Sequence, residues 1–125
     1  MEGLRKFERE AIELLAGPHL SHDALGSVLE SSISASIEHT GVGYFLTIRH
    51  AAIPSERVVC STPMLSCMLG ERLCGFVVFM ESGELALECH QFGDGDLPLD
   101  CRSHAGPLKI SIQQGEATDR PSTGR

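Results

Sequence analysis

The sequence predicts an α+β domain: two N-terminal helices packed on one face of an antiparallel sheet of five or six strands built from two hairpins. Three observations predict it. Apolar residues recur at helical spacing as far as Leu29, and from Ser32 the period changes to two. The gaps between the strand-like runs are mostly too short for parallel crossovers.

Leu4, Phe7, Ala11, Leu14 and Leu15 share one helical face, while Arg5, Lys6, Glu8, Arg9, Glu10 and Glu13 fall mostly elsewhere. Gly17 and Pro18 end this helix, because glycine suits the position past a C-cap and proline cannot continue the ladder. Ser21 reads as the N-cap of a second helix, with Asp23 favourable in its first turn. Its stripe is Leu20, Ala24, Leu25, Val28 and Leu29, weakened at Gly26 by roughly 1 kcal/mol relative to alanine.

Ile33, Ala35, Ile37 and His39 then alternate with serines and Glu38, and Tyr44, Leu46, Ile48 and His50 alternate with Phe45, Thr47 and Arg49. A loop at residues 40–43 pairs His39 with Tyr44, Ile37 with Leu46, Ala35 with Ile48 and Ile33 with His50. This first hairpin is apolar on one side only. Residues 57–61 read as a short strand, and residues 63–72 fit a strand or a helical turn equally well.

The strongest signal is the stretch 75–92, two apolar runs joined by Ser82 and Gly83. A two-residue turn there sets Glu81 opposite Glu84, Met80 opposite Leu85, Val78 opposite Leu87 and Phe76 opposite Cys89. One face is wholly apolar. The other carries Val77, Phe79 and Ala86 followed by Glu88 and His90, which is too apolar for a solvated surface. Loop 93–107, another part of the sheet, or a second molecule must cover it. Leu108, Ile110 and Ile112 alternate as a last, edge strand. Residues 1–113 are expected to form the single domain, and residues 114–125 a disordered tail, for want of apolar side chains.

Composition narrows the function. A net charge of −7 with no run of lysine or arginine speaks against a nucleic-acid surface. No segment approaches the ~20 apolar residues of a membrane span. The charged N-terminus lacks the apolar core of a secretory signal. Five cysteines without compact spacing suggest reduced thiols in a cytoplasmic protein.

Chemistry-bearing residues are scattered. Cys89 and His90, being adjacent on a strand, point to opposite faces and cannot pair with each other. Cys89 as a nucleophile needs His39, His50 or His104 brought near; its plainer reading is a small core hydrophobe. Glu88 and His90 share a face beside loop 93–107, an arrangement compatible with acid/base work or half of a metal site. A solvated polar pair explains them as well. Cys60, Cys67, Cys74, Cys89 and Cys101 are too far apart for the paired ligands of structural zinc, and no second pair answers His19 and His22. Asp94, Asp96 and Asp100 lack the glycine and terminal glutamate of a calcium loop. No cofactor and no metal are expected.

The segment from Thr40 to Thr47, the run from Cys74 to Phe79 and the group Leu87, Glu88, Cys89, His90 resemble a family of small bacterial proteins. That family shares a TGxGFFT-like turn and a GFVVF…LExH hairpin, and the likeness implies a bacterial cytosolic origin. Size, acidity and the two-hairpin layout are also similar to immunity proteins of toxin systems. The expected function is non-catalytic: a protein-interaction or immunity-like module binding a protein partner or itself through Val77, Phe79, Ala86, Glu88 and His90. The alternative is a small hydrolase or metal-dependent enzyme using Glu88 and His90.

Overall fold

The fold is that of a computed structural model, which describes residues 3–111. The tail expected at 114–125 lies outside the described residues. The chain is α+β. Helix α1 spans Lys6–Ala16 and runs into a 3-10 turn at Gly17–His19. Helix α2 spans His22–Glu30, and its cap Ser21 accepts the Ala24 N–H at 3.1 Å. Seven strands follow: β1 Ser36–His39, β2 Gly43–Arg49, β3 Val58–Cys60, β4 Met64–Leu69, β5 Arg72–Glu81, β6 Glu84–Gln91 and β7 Lys109–Ser111. The order is β1-β2-β6-β5-β4-β7, with β3 also on β5 and every pairing antiparallel.

The central hairpin has the expected register, from Glu81↔Glu84 through Met80↔Leu85 and Val78↔Leu87 to Phe76↔Cys89. Ser82 and Gly83 both have positive φ, 53° and 76°, the backbone of a tight turn whose twist suits its strands. The ambiguous segment 63–72 is strand. A turn at Gly70 and Glu71 pairs Leu69 with Arg72 and Cys67 with Cys74, which adds β4 and brings the sheet to seven strands.

The first hairpin is shorter than its alternation suggests. His39↔Tyr44 and Ile37↔Leu46 pair, but Ala35 and Ile33 do not reach Ile48 and His50. Residues Ser31–Ser34 instead continue α2 as a 3-10 turn. Their serines explain the change: Ser31 Oγ donates to the Val28 carbonyl at 2.7 Å and Ser34 Oγ to the Ser31 carbonyl at 3.1 Å. Such local bonds compete with a strand ladder. Ile33 is left 68% exposed.

Both helices lie on one face of the sheet. Phe7, Ala11, Ile12, Leu15, Val28 and Leu29 meet Leu46, Ile48, Leu65, Leu69, Phe76, Val78, Met80, Leu85 and Leu87. Each large side chain buried there stabilises the fold by roughly 1.5–3 kcal/mol. Among the described residues, the opposite face carries no helix.

Candidate interaction surface

Strand pleating sends alternate residues to the helix-free face. On β6 these are Glu84, Ala86, Glu88 and His90; on β5, Leu73, Gly75, Val77 and Phe79; on β2, Phe45 and Thr47. Val59 of β3 and Met64 and Met68 of β4 extend the surface. Val77, Phe79 and Ala86 are half-buried by their neighbours, while Met64, Leu73 and Phe92 are 51%, 47% and 55% exposed. The result is a contiguous apolar surface that no helix among the described residues covers. At the turn end Arg49 pairs with Glu84 at 2.8 Å and Arg57 with Glu81 at 3.3 Å, and Glu38 opposite Phe45 and Lys109 opposite Ser66 bring further charges to the same face on the outer strands. The Arg57 guanidinium also lies over the Phe79 ring, 5.7 Å from its centroid.

Loop 93–107 does not cover this surface. Leu97, Cys101 and Arg102 are buried, and Arg102 reaches α1 on the helix side. The loop therefore does not wall Glu88 and His90. Glu88 sits between Phe45 and Val77 on the neighbouring strands and, among the described residues, has no hydrogen-bond or ion-pair partner.

His90 is flanked by two glycines, Gly43 on β2 and Gly75 on β5. The space above Gly75 is filled by the Phe92 ring, which a Cβ there would meet at 2.5 Å. Phe92 packs edge-on to His90 with centroids 5.3 Å apart. The imidazole Nδ1 is buried without a hydrogen-bond partner. Beside the pair is a cleft of about 180 Å³ lined by Ser61, Met64, Gly75, Val77, His90 and Phe92. It marks the place where β5 changes partner: β4 pairs with residues up to Gly75 and β3 from Val78 onward. The cleft is smaller than the ~300–1,000 Å³ of ordinary small-molecule sites. Its size suits one side chain.

The other candidates do not converge. Cys89 is fully buried, and the side chains that act on its thiol are Cys74, Cys101 and Tyr44 rather than an imidazole. The Cys74 thiol, then burial, pushes the Cys89 thiol well above its ordinary range. Burial pushes Cys67 up to about 11. Protonated, enclosed thiols are poor nucleophiles. His50 accepts the Ala52 N–H at 2.9 Å through Nδ1, and His104 pairs with Asp100 at 3.1 Å. Among the described residues no group of three or more histidine, cysteine, aspartate or glutamate side chains is arranged to hold a metal ion.

The helix side holds a cluster that the alternation alone does not reveal. Glu8, completely buried, receives Arg102 Nε and Nη2 at 2.6 Å each and the Tyr44 hydroxyl at 2.5 Å. Its Oε1 also accepts the Arg5 backbone N–H at 2.8 Å at the start of α1. Arg102 Nη2 donates further to the Gly3 carbonyl at 2.7 Å. Burial, then the Glu8 charge, pushes the Tyr44 phenol far above its ordinary value. A signal exists in the sequence: Glu8, Ile12 and Leu15 follow i, i+4, i+7 spacing, which puts a carboxylate on the buried stripe. The bonds among Glu8, Tyr44 and Arg102 hold the loop to the helix.

Comparison with protein families, with characterised proteins and with solved structures returned no match. No helix among the described residues is long and apolar enough to cross a membrane.

Proposed function

We propose that this protein is a non-catalytic protein-interaction module that binds through the helix-free face of its sheet. One observation carries the reading: Phe45, Val77, Phe79, Met64, Met68, Leu73 and Phe92 form one apolar surface that the described chain leaves uncovered. Surfaces of this kind on soluble proteins mark binding sites. The acidity and layout that resemble immunity proteins fit the same reading, as does a bacterial cytosolic setting. The hydrolase or metal-enzyme alternative rests on Glu88 and His90, whose surroundings are an apolar face and a cleft the size of one side chain.

The test uses Val77→Asp and Phe79→Asp, both on the open face. Each should keep a cooperative melting transition. Each should also lose the bound mass that native mass spectrometry detects with the wild-type protein, be it a second copy or another protein. Folded variants that keep every bound species would sink the proposal. Stoichiometric zinc in protein purified without a histidine tag would favour the enzyme alternative instead.

A further inference from the structure

The two ends of the strand order differ in how their edges are protected. β7 is three residues long, follows Pro107 closely and carries Lys109, the usual defences of an edge strand. β1, at the other end, has no proline, no lysine and an unbroken register from Ser36 to His39. The Thr40 N–H donates to the Gly43 carbonyl at 3.0 Å, which makes residues 40 and 43 a hydrogen-bonded pair. Such pairs alternate along an antiparallel ladder. Glu38 and Ser36 therefore bond to β2, while His39 and Ile37 turn their N–H and C=O groups away from it. Among the described residues those outward groups have no backbone partner.

This edge is one wall of a hollow of about 530 Å³. Ser36, Ile37 and His39 line its strand side, and Arg5, Asp100 and Ser103 line the other. The hollow lies on the helix side of the sheet, because Ile37 and His39 stand opposite Leu46 and Tyr44 of the core. Two of its charges are already engaged: Asp100 pairs with His104 at 3.1 Å, and Arg102 pairs with Glu8 at 2.6 Å. The Arg5 guanidinium is exposed and has no ion-pair partner among the described residues. Glu38, the acid of β1, stands opposite Phe45 and so points to the other face.

From this arrangement we infer that β1 takes up an extended peptide as a further strand, with an acidic side chain of that peptide seated beside Arg5. The outward groups of Ile37 and His39 supply the main-chain bonds of strand addition, and the hollow supplies the selectivity. Alternate side chains of an added strand point to the helix side. There a carboxylate gains the Arg5 charge and the hydroxyls of Ser36 and Ser103, whereas a lysine meets a like charge. The hollow lies within the ~300–1,000 Å³ of ordinary binding pockets. This site uses the edge and the helix side of the sheet, so it is separate from the helix-free face and stands or falls without it.

The probe is a pentapeptide capped at both ends, Thr-Val-Glu-Val-Thr, with counterparts carrying glutamine or lysine at the centre. Titrated into the isotope-labelled full chain, it should move the Ile37 and His39 amide signals in NMR spectra. The glutamate peptide should bind about fivefold tighter than the glutamine peptide, and the lysine peptide weakest. Arg5→Ser keeps a favoured cap on α1 and should bring the glutamate peptide down to the glutamine level. His39→Pro removes an outward N–H, a change that edge strands tolerate, and should weaken every peptide about tenfold. His39→Ala keeps that N–H and should not. Should His39→Pro fail to fold, the wild-type amide signals and Arg5→Ser decide the matter. No binding in the millimolar range, or a glutamate peptide bound no better than the lysine one, overturns the inference. Undiminished binding by a folded His39→Pro chain does the same. Binding lost in Phe79→Asp but kept in His39→Pro would place the peptide on the helix-free face instead. A wild-type dimer in light scattering that His39→Pro dissociates would make a second copy the occupant of the edge and overturn the peptide.

Discussion

Glu8 and Glu88 are carboxylates on opposite sides of one sheet, and they show how its two faces differ. Glu8 lies under α1, fully buried, with two bonds from Arg102, one from Tyr44 and one from the helix backbone. Glu88 lies on the helix-free side between Phe45 and Val77, half-buried and without a partner among the described residues. On the first face every polar group that leaves water gains a bond inside the chain, as burial demands. On the second, apolar side chains stay accessible and an imidazole nitrogen goes unpaired. Among the described residues, the helix-side face is internally satisfied and the helix-free face is not.

That contrast can be broken most severely at the buried ion pair. Arg102→Ala leaves the Glu8 carboxylate enclosed without its main counter-charge, and should cost about 3–5 kcal/mol in urea unfolding. A loss below about 1 kcal/mol would mean that water reaches Glu8 and that the cluster is not closed. Leu87→Ala comes next, at about 2–5 kcal/mol, because Leu87 is fully enclosed opposite Val78 and Leu46.

Tyr44→Phe should cost about 1.5–3 kcal/mol, the range for a hydrogen bond to a charged group. The single tyrosine of the chain also gives an optical readout. Its folded pKa is raised above the ordinary 10.0, so the neutral phenol favours the folded state. This contribution is fully present below pH 10.0 and declines as pH rises above it, where the unfolded chain loses the proton first. Phenolate absorbance should therefore appear together with unfolding and not before. Ionisation at ordinary pH in a folded protein would contradict the enclosed site.

Glu88→Ala is the smallest expected effect on folding, within about 0.5 kcal/mol. Measured on dilute protein, it sharpens the comparison: a loss as large as that at Leu87 would place Glu88 in the core and reverse the assignment of faces.

Local patterns in the sequence determined most of the fold. Alternation and the Ser82–Gly83 turn dictated the β5–β6 register, because a one-residue slip would turn Leu85, Leu87 and Cys89 out of the core. The helical spacing of Phe7, Ala11 and Leu15 and the Ser21 cap marked both helices for the same local reasons. Val77, Phe79, Ala86, Glu88 and His90 were legible as one face from strand period alone. Tertiary structure decided the rest. Serine back-bonds ended the first hairpin early, and pairing with β5 made residues 64–69 a strand. Only long-range folding could bring Arg102 to Glu8, since nothing local links residues 94 positions apart. The same holds for the uncovered face. Its apolar side chains were visible in the sequence, but the course of loop 93–107 toward the helix side depends on where a buried carboxylate waits for its counter-charge.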